Sequence, residues 1–160
     1  MVNLYRVIDN LISLVDNKYE QLKEIYLLTK QQAEVIEEAD MKSLLELIDK
    51  KQEKIDLVVN FDSQFEAITD DIKTIYDVKS LDELEAPDTN LATLKEKILR
   101  VTDILHQILQ IENSNKEKMN DAKHQLESKM SKAKTGKVAI KQYGGVGGYA
   151  DAVFFDRKIK

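Results

Sequence analysis

The chain contains no cysteine and no tryptophan, one proline at Pro87, and five glycines, of which the first is Gly136. Without thiols, disulfides and thiolate metal sites are excluded, and the redox compartment is left open. Aromatic residues make up only 6% of the 160 positions and charged residues 33%. That balance belongs to long helices or coiled coils and excludes β-sandwiches and α/β sheets. Long apolar runs are missing as well: none approaches the roughly 20 residues needed to span a bilayer. The opening MVNLYRVIDNLISLV has an early Arg6, but Asp9, Asn10 and then Asp16 interrupt its apolar positions, so it does not read as a signal peptide. These absences predict a single cytoplasmic domain without stable membrane insertion.

What is present is heptad spacing. Leu4, Ile8, Leu11, Val15, Lys18, Leu22, Ile25, Thr29, Gln32 and Ile36 follow a 4-3 rhythm that keeps one helix face pointing one way. Val7, Leu14, Leu28 and Val35 widen that face, as a helix touching two neighbours requires. The polar members of the seam read as peripheral, with Lys18 snorkelling and Thr29 and Gln32 at a wet edge. Asp40 is a candidate N-cap for a second stripe of Met41, Leu44, Ile48, Lys51, Ile55, Val58, Asp62, Phe65, Ile72 and Tyr76. A short connection there predicts an antiparallel hairpin, with one continuous helix through Asp40 as the alternative. Ser80 and Glu83 have capping-box spacing for a brief turn, and Pro87 disfavours helix at Ala86. Asp88 or Thr89 then caps a third helix carrying Leu91, Leu94, Ile98, Val101, Leu105 and Ile108, broadened by Leu99, Ile104, Leu109 and Ile111. After Ile111 only Met119, Ala122, Leu126, Met130 and Ala133 hold the stripe. The expected fold is all-α: an up-down bundle of three long helices near 3–39, 41–77 and 89–134 with coiled-coil character. The third helix overhangs the others, and its thinning stripe of Leu105, Ile108, Leu109, Ile111, Met119, Ala122, Leu126 and Met130 is the candidate interaction surface. Methionine suits such a surface because it repacks against varied partners.

Motifs for chemistry are not found. Gly145-Val146-Gly147-Gly148-Tyr149-Ala150 fits the dinucleotide pattern G-x-G-x-x-[GA], but a helix and not a strand precedes it and no βαβ unit can follow. His106 and His124 lie too far apart along one helix to share a metal, and no Glu-x-x-His pair of the di-iron bundles occurs. The reading is no enzyme, no metal and no cofactor. Charge is unevenly placed: residues 1–128 hold 16 Lys and Arg against 27 Asp and Glu, whereas 129–160 hold 8 against 2. An acidic body is a poor nucleic-acid binder, so the basic end is expected to meet the body itself or a protein partner.

Within that end, Tyr143 to Lys160 concentrates four of the five glycines and four of the ten aromatics. Residues 1–135 read as the helical bundle, and 136–160 as a flexible tail. Tyr143, Tyr149, Phe154 and Phe155 serve there as a latch over the bundle or as a direct client contact. With EEADMKSLLELIDKKQEKI joining its first two helices, the chain resembles the FlgN-type flagellar export chaperones. The likeness rests on the acidic turn at Asp40, on Leu44, Leu45, Lys51 and Gln52 of the second helix, and on the terminal Phe154, Phe155, Asp156, Arg157 and Lys158. The resemblance implies a cytoplasmic chaperone that binds the amphipathic terminal segment of hook–filament junction proteins, prevents their premature self-assembly and delivers them to the flagellar export machinery. It would act as a monomer or small homo-oligomer. The competing expectation is a homo-oligomeric coiled-coil adaptor.

Overall fold

The computed structural model describes residues 3–87 and 89–133, with side chains described up to 129. Among them are three long α-helices and no strand: α1 Leu4–Glu37, α2 Met41–Ile75 and α3 Leu91–Ala133. At 1.5 Å per residue the first two are roughly 50 Å long and the third about 65 Å. The all-α expectation holds, and each boundary lies within two residues of the expected one.

Helix α1 does not run through Asp40. Its end is closed by Asp40 N–H donating to Val35 O at 3.0 Å and Ala39 N–H donating to Ile36 O at 3.1 Å, with Ala39 left-handed at φ 56. This is the paired bonding of a Schellman cap, a position where glycine is usual because Cβ is penalised there. Lacking glycine in the body, the chain uses Ala39, and after α2 it uses Asp77 at φ 51, with Val78 N–H donating to Lys73 O. Asp40 caps α2 as expected: one carboxylate oxygen accepts from Ser43 N–H at 3.1 Å, and the other from Ser43 Oγ at 2.6 Å. These two bonds, the hydroxyl's first, hold the Asp40 carboxyl below the usual range.

The expected capping box between the second and third helices does not form. Glu83 accepts from Lys79 N–H at 2.7 Å across a 3-10 turn, Leu81–Glu83, whereas Ser80 makes no side-chain cap. Thr89 does not cap α3: its hydroxyl donates back to Ala86 O at 2.6 Å, and Asn90 O accepts the first helical bond from Leu94 N–H. Asp88 lies outside the described residues.

The chain forms two compact units, each containing a stretch of all three helices. The first comprises 1–24 and 56–105. Its core is almost wholly apolar: Ile8, Leu11, Val15 and Leu22 of α1, Ile72 of α2, Leu84 of the connection, and Leu91, Leu94, Val101 and Ile104 of α3. Burying a side chain of this kind stabilises by about 1.5–3 kcal/mol. Asn90 donates to Asp9 and Lys97 to Asp16, both pairs separated by 81 residues, so α1 and α3 run parallel in this unit. Lys18 ties α1 to α2 through Asp62 at 2.7 Å, a buried stem with a wet head. Leu99, expected to broaden the core face, points outward and is 64% exposed. It sits one residue beyond Ile98, about 100° round the helix from the seam.

The second unit comprises 25–55 and 106–160. Leu44 and Ile48 of α2 pack with Met119 of α3, and Val35, Ile36 and Met41 close on them. Thr29 and Asn115, and Glu37 and Lys118, pair α1 with α3 in parallel. Gln32 and Lys51 join α1 to the antiparallel α2. Here too the bundle runs up, down and up.

Candidate functional site

The second unit contains a feature that the seam pattern hid. Thr29, Gln32, Lys51, Glu112 and Asn115 are all buried, none more than 5% exposed, and all three helices contribute. Lys51 Nζ donates to Glu112 Oε2 at 2.5 Å and to Gln32 Oε1 at 2.9 Å. Asn115 Nδ2 donates to Thr29 O at 3.1 Å, and Thr29 Oγ1 donates back to Ile25 O at 2.7 Å. Burial pushes the Lys51 ammonium below its ordinary value, and the Glu112 carboxylate opposes that shift without cancelling it. The wet edge expected for Thr29 and Gln32 is therefore corrected. They lie inside because α3 covers them with residues able to accept and donate. The clue was available in the spacing: carrying the 4-3 rhythm on from Ile108 lands on Glu112, Asn115 and Met119.

The candidate interaction stripe of α3 divides in the structure. Ile108 is fully buried and Met119 belongs to the core with Leu44 and Ile48, so neither lines an open surface in this arrangement. Both sit at the inner positions of the heptad, where the neighbouring helices close over them. Leu109, Ile111, Ala122 and Leu126 are half-buried in the second unit, and Leu105 is half-buried in the first. The side chain of Met130 lies outside the described residues, as do Tyr143, Tyr149, Phe154 and Phe155 of the tail.

The far end of α3 outruns its neighbours in this unit. Glu37, the last residue of α1, is bonded to Lys118 at 2.8 Å, and Met41, the first of α2, closes on the cluster around Met119. The expected overhang thus begins near Ala122, where Leu126 follows one turn later. The Lys118 ammonium holds the Glu37 carboxyl below its usual range, by hydrogen bond first and charge second.

No constellation for catalysis comes together among the described residues. His106 and His124 are both exposed, and His124 Nδ1 lies 3.7 Å from Glu127 Oε2 on its own helix. No group of three or more His, Cys, Asp or Glu among the described residues is placed to hold a metal ion. No helix among them is long and apolar enough to cross a membrane.

Long helices, polar residues used in caps and ion pairs, and a partly covered apolar stripe define an all-α helical bundle. The chain belongs to the FlgN protein family, whose model matches residues 1–151. Membership makes it a cytoplasmic chaperone of flagellar biogenesis with a role in flagellar export, and it implies hook-associated proteins as binding partners. Comparison with curated proteins and with solved structures gives no match.

Proposed function

We propose that the protein holds the amphipathic terminal segment of a hook–filament junction protein, keeps it from assembling early, and delivers it to the export apparatus. The observation that supports this reading is the C-terminal part of α3, where Leu109, Ile111, Ala122 and Leu126 are left half-covered on one helix that outruns its partners. Ile111, Ala122 and Leu126 share one face of α3, with Leu109 roughly 160° round from Ile111, and half-covered apolar positions sharing a face are what an incoming amphipathic helix needs for packing. Such a carrier requires no cofactor and works by occupying a surface that would otherwise self-associate. It acts as a monomer or small homo-oligomer.

The tail has a part in the same reading. Residues 136–160 carry Tyr143, Tyr149, Phe154 and Phe155 beside five of the chain's basic residues, at positions 137, 141, 157, 158 and 160. We assign them competition with the client for the stripe. Only the uncovered fraction of the protein then binds, which lowers apparent affinity.

Ile111→Glu combined with Leu126→Glu tests the surface. The pair should weaken binding of a fluorescent junction-protein segment by about tenfold or more, which corresponds to about 1.4 kcal/mol, with helix content unchanged. Unchanged affinity in the double variant would remove the stripe from the binding site.

A further inference from the structure

The seam that α3 presents changes composition along its length. In the first unit its buried positions are Leu91, Leu94, Val101 and Ile104, all apolar. In the second unit they are Ile108, Glu112, Asn115 and Met119, so half of the seam is polar. What Glu112 and Asn115 meet is polar as well: Lys51, itself bonded to Gln32, and the backbone of Thr29.

A polar seam holds differently from an apolar one. When an apolar helix leaves its groove, water gains contact with hydrocarbon and the loss is full. When a buried ion pair opens, both charges recover hydration, and that recovery offsets much of the Coulombic loss. The layer is not completely satisfied even when closed: Asn115 Oδ1 is buried and has no hydrogen-bond partner within the protein. A partly satisfied polar network is the place where a core is weakest. Near it α3 is also tied by the exposed Lys118–Glu37 pair and by the apolar packing of Ile108 and Met119. Exposed ion pairs contribute little.

We infer that the C-terminal half of α3, from His106 onward, is a detachable element of the second unit, released at the Gln32–Lys51–Glu112–Asn115 layer while the hairpin of α1 and α2 in that unit stays paired. Detachment uncovers Leu44 and Ile48 on the hairpin and Ile108 and Met119 on the freed helix. It thereby makes available the two residues of the α3 stripe that the closed arrangement keeps inside. The opening belongs to the free chain and does not depend on what the protein binds. Its use in receiving a client rests on the chaperone reading, and failure of one leaves the other standing.

Native-state hydrogen exchange followed by mass spectrometry on the full chain tests it. Amides of 108–119 should exchange about tenfold or more faster than those of 94–104 on the same helix, because local opening sets the rate. Equal protection of the two stretches would overturn the inference. Simple fraying from the helix end is separated by a second arm, the triple variant Gln32→Leu, Lys51→Met, Glu112→Leu. Filling the layer with hydrocarbon should slow exchange over 108–119 by about tenfold and leave 94–104 unchanged, whereas fraying would not respond to it. A folded triple variant whose 108–119 stretch exchanges as fast as before would equally overturn the proposal. Should that variant not fold, the comparison within the unaltered chain decides alone.

Discussion

Lys51 places an ammonium among three helices, where Gln32 and Glu112 each offer it an oxygen. The two replacements a mutation can make there differ in sign. Lys51→Met alone leaves the Glu112 carboxylate buried without its cation and should cost about 3 kcal/mol, read as a lower denaturant midpoint. A loss below about 1 kcal/mol would mean that water reaches Glu112 freely and that the layer is less enclosed than its geometry indicates. Ala39 is the opposite kind of residue, exposed and touching little, yet held at φ 56 by the cap that ends α1. Ala39→Gly removes the Cβ penalty at that angle and should raise stability by about 1 kcal/mol, against the general tendency of glycine to loosen a chain. An unchanged or lowered midpoint would show that the unfolded chain's gain in freedom outweighs the relieved strain.

Each helix is set by a small number of end residues and by one stripe, and these titrate and pack separately. The Asp40 carboxyl is lowered by Ser43, so the folded chain holds that proton less tightly than the unfolded chain does. Its contribution is therefore present above its ordinary value of 3.8 and is lost as pH falls through the lowered one. Asp40→Asn still caps α2 but does not titrate. The advantage of Asp40 over Asn, measured as the difference in urea midpoint at neutral pH, should shrink at about pH 2.5; a constant difference would mean that the carboxylate's charge plays no part. The elements themselves were legible in the sequence because apolar residues at 4-3 spacing leave few alternatives to an amphipathic helix. The break at Asp40 was legible as an N-cap but not as a C-cap, since nothing in Ala39 announces a left-handed residue. Leu99 misled for a related reason: hydrophobicity alone does not tell an inner residue from its outward neighbour. The buried layer was hidden because Thr29, Gln32 and Lys51 each read singly as edge residues, and burial became favourable only when Glu112 and Asn115 arrived from 61 and 86 positions away on another helix.

The whole molecule is a carrier whose chemistry is packing. Family membership supplies the export role, and the half-covered stripe of α3 is where we place the client. We place no client contact on the exposed histidines: replacing His106 and His124 together by Gln should leave both helix content and client affinity unchanged, and a large loss of binding would assign one of them a contact. Removing residues 137–160 should tighten client binding if Tyr143, Phe154 and Phe155 compete for the stripe, and abolish it if they grip the client; equal affinity with no added self-association would leave the tail without either role. The central claim is that the protein binds a junction protein's terminal segment and does not assemble with itself. Light scattering coupled to size separation, run on the full chain alone over a concentration series and then with a purified hook-associated protein, tests that claim most directly. The account predicts a monomer or small oligomer of constant mass alone, and a defined complex that suppresses the client's self-assembly. Mass rising steadily with concentration, with no complex formed, would contradict it and favour a homo-oligomeric coiled-coil adaptor.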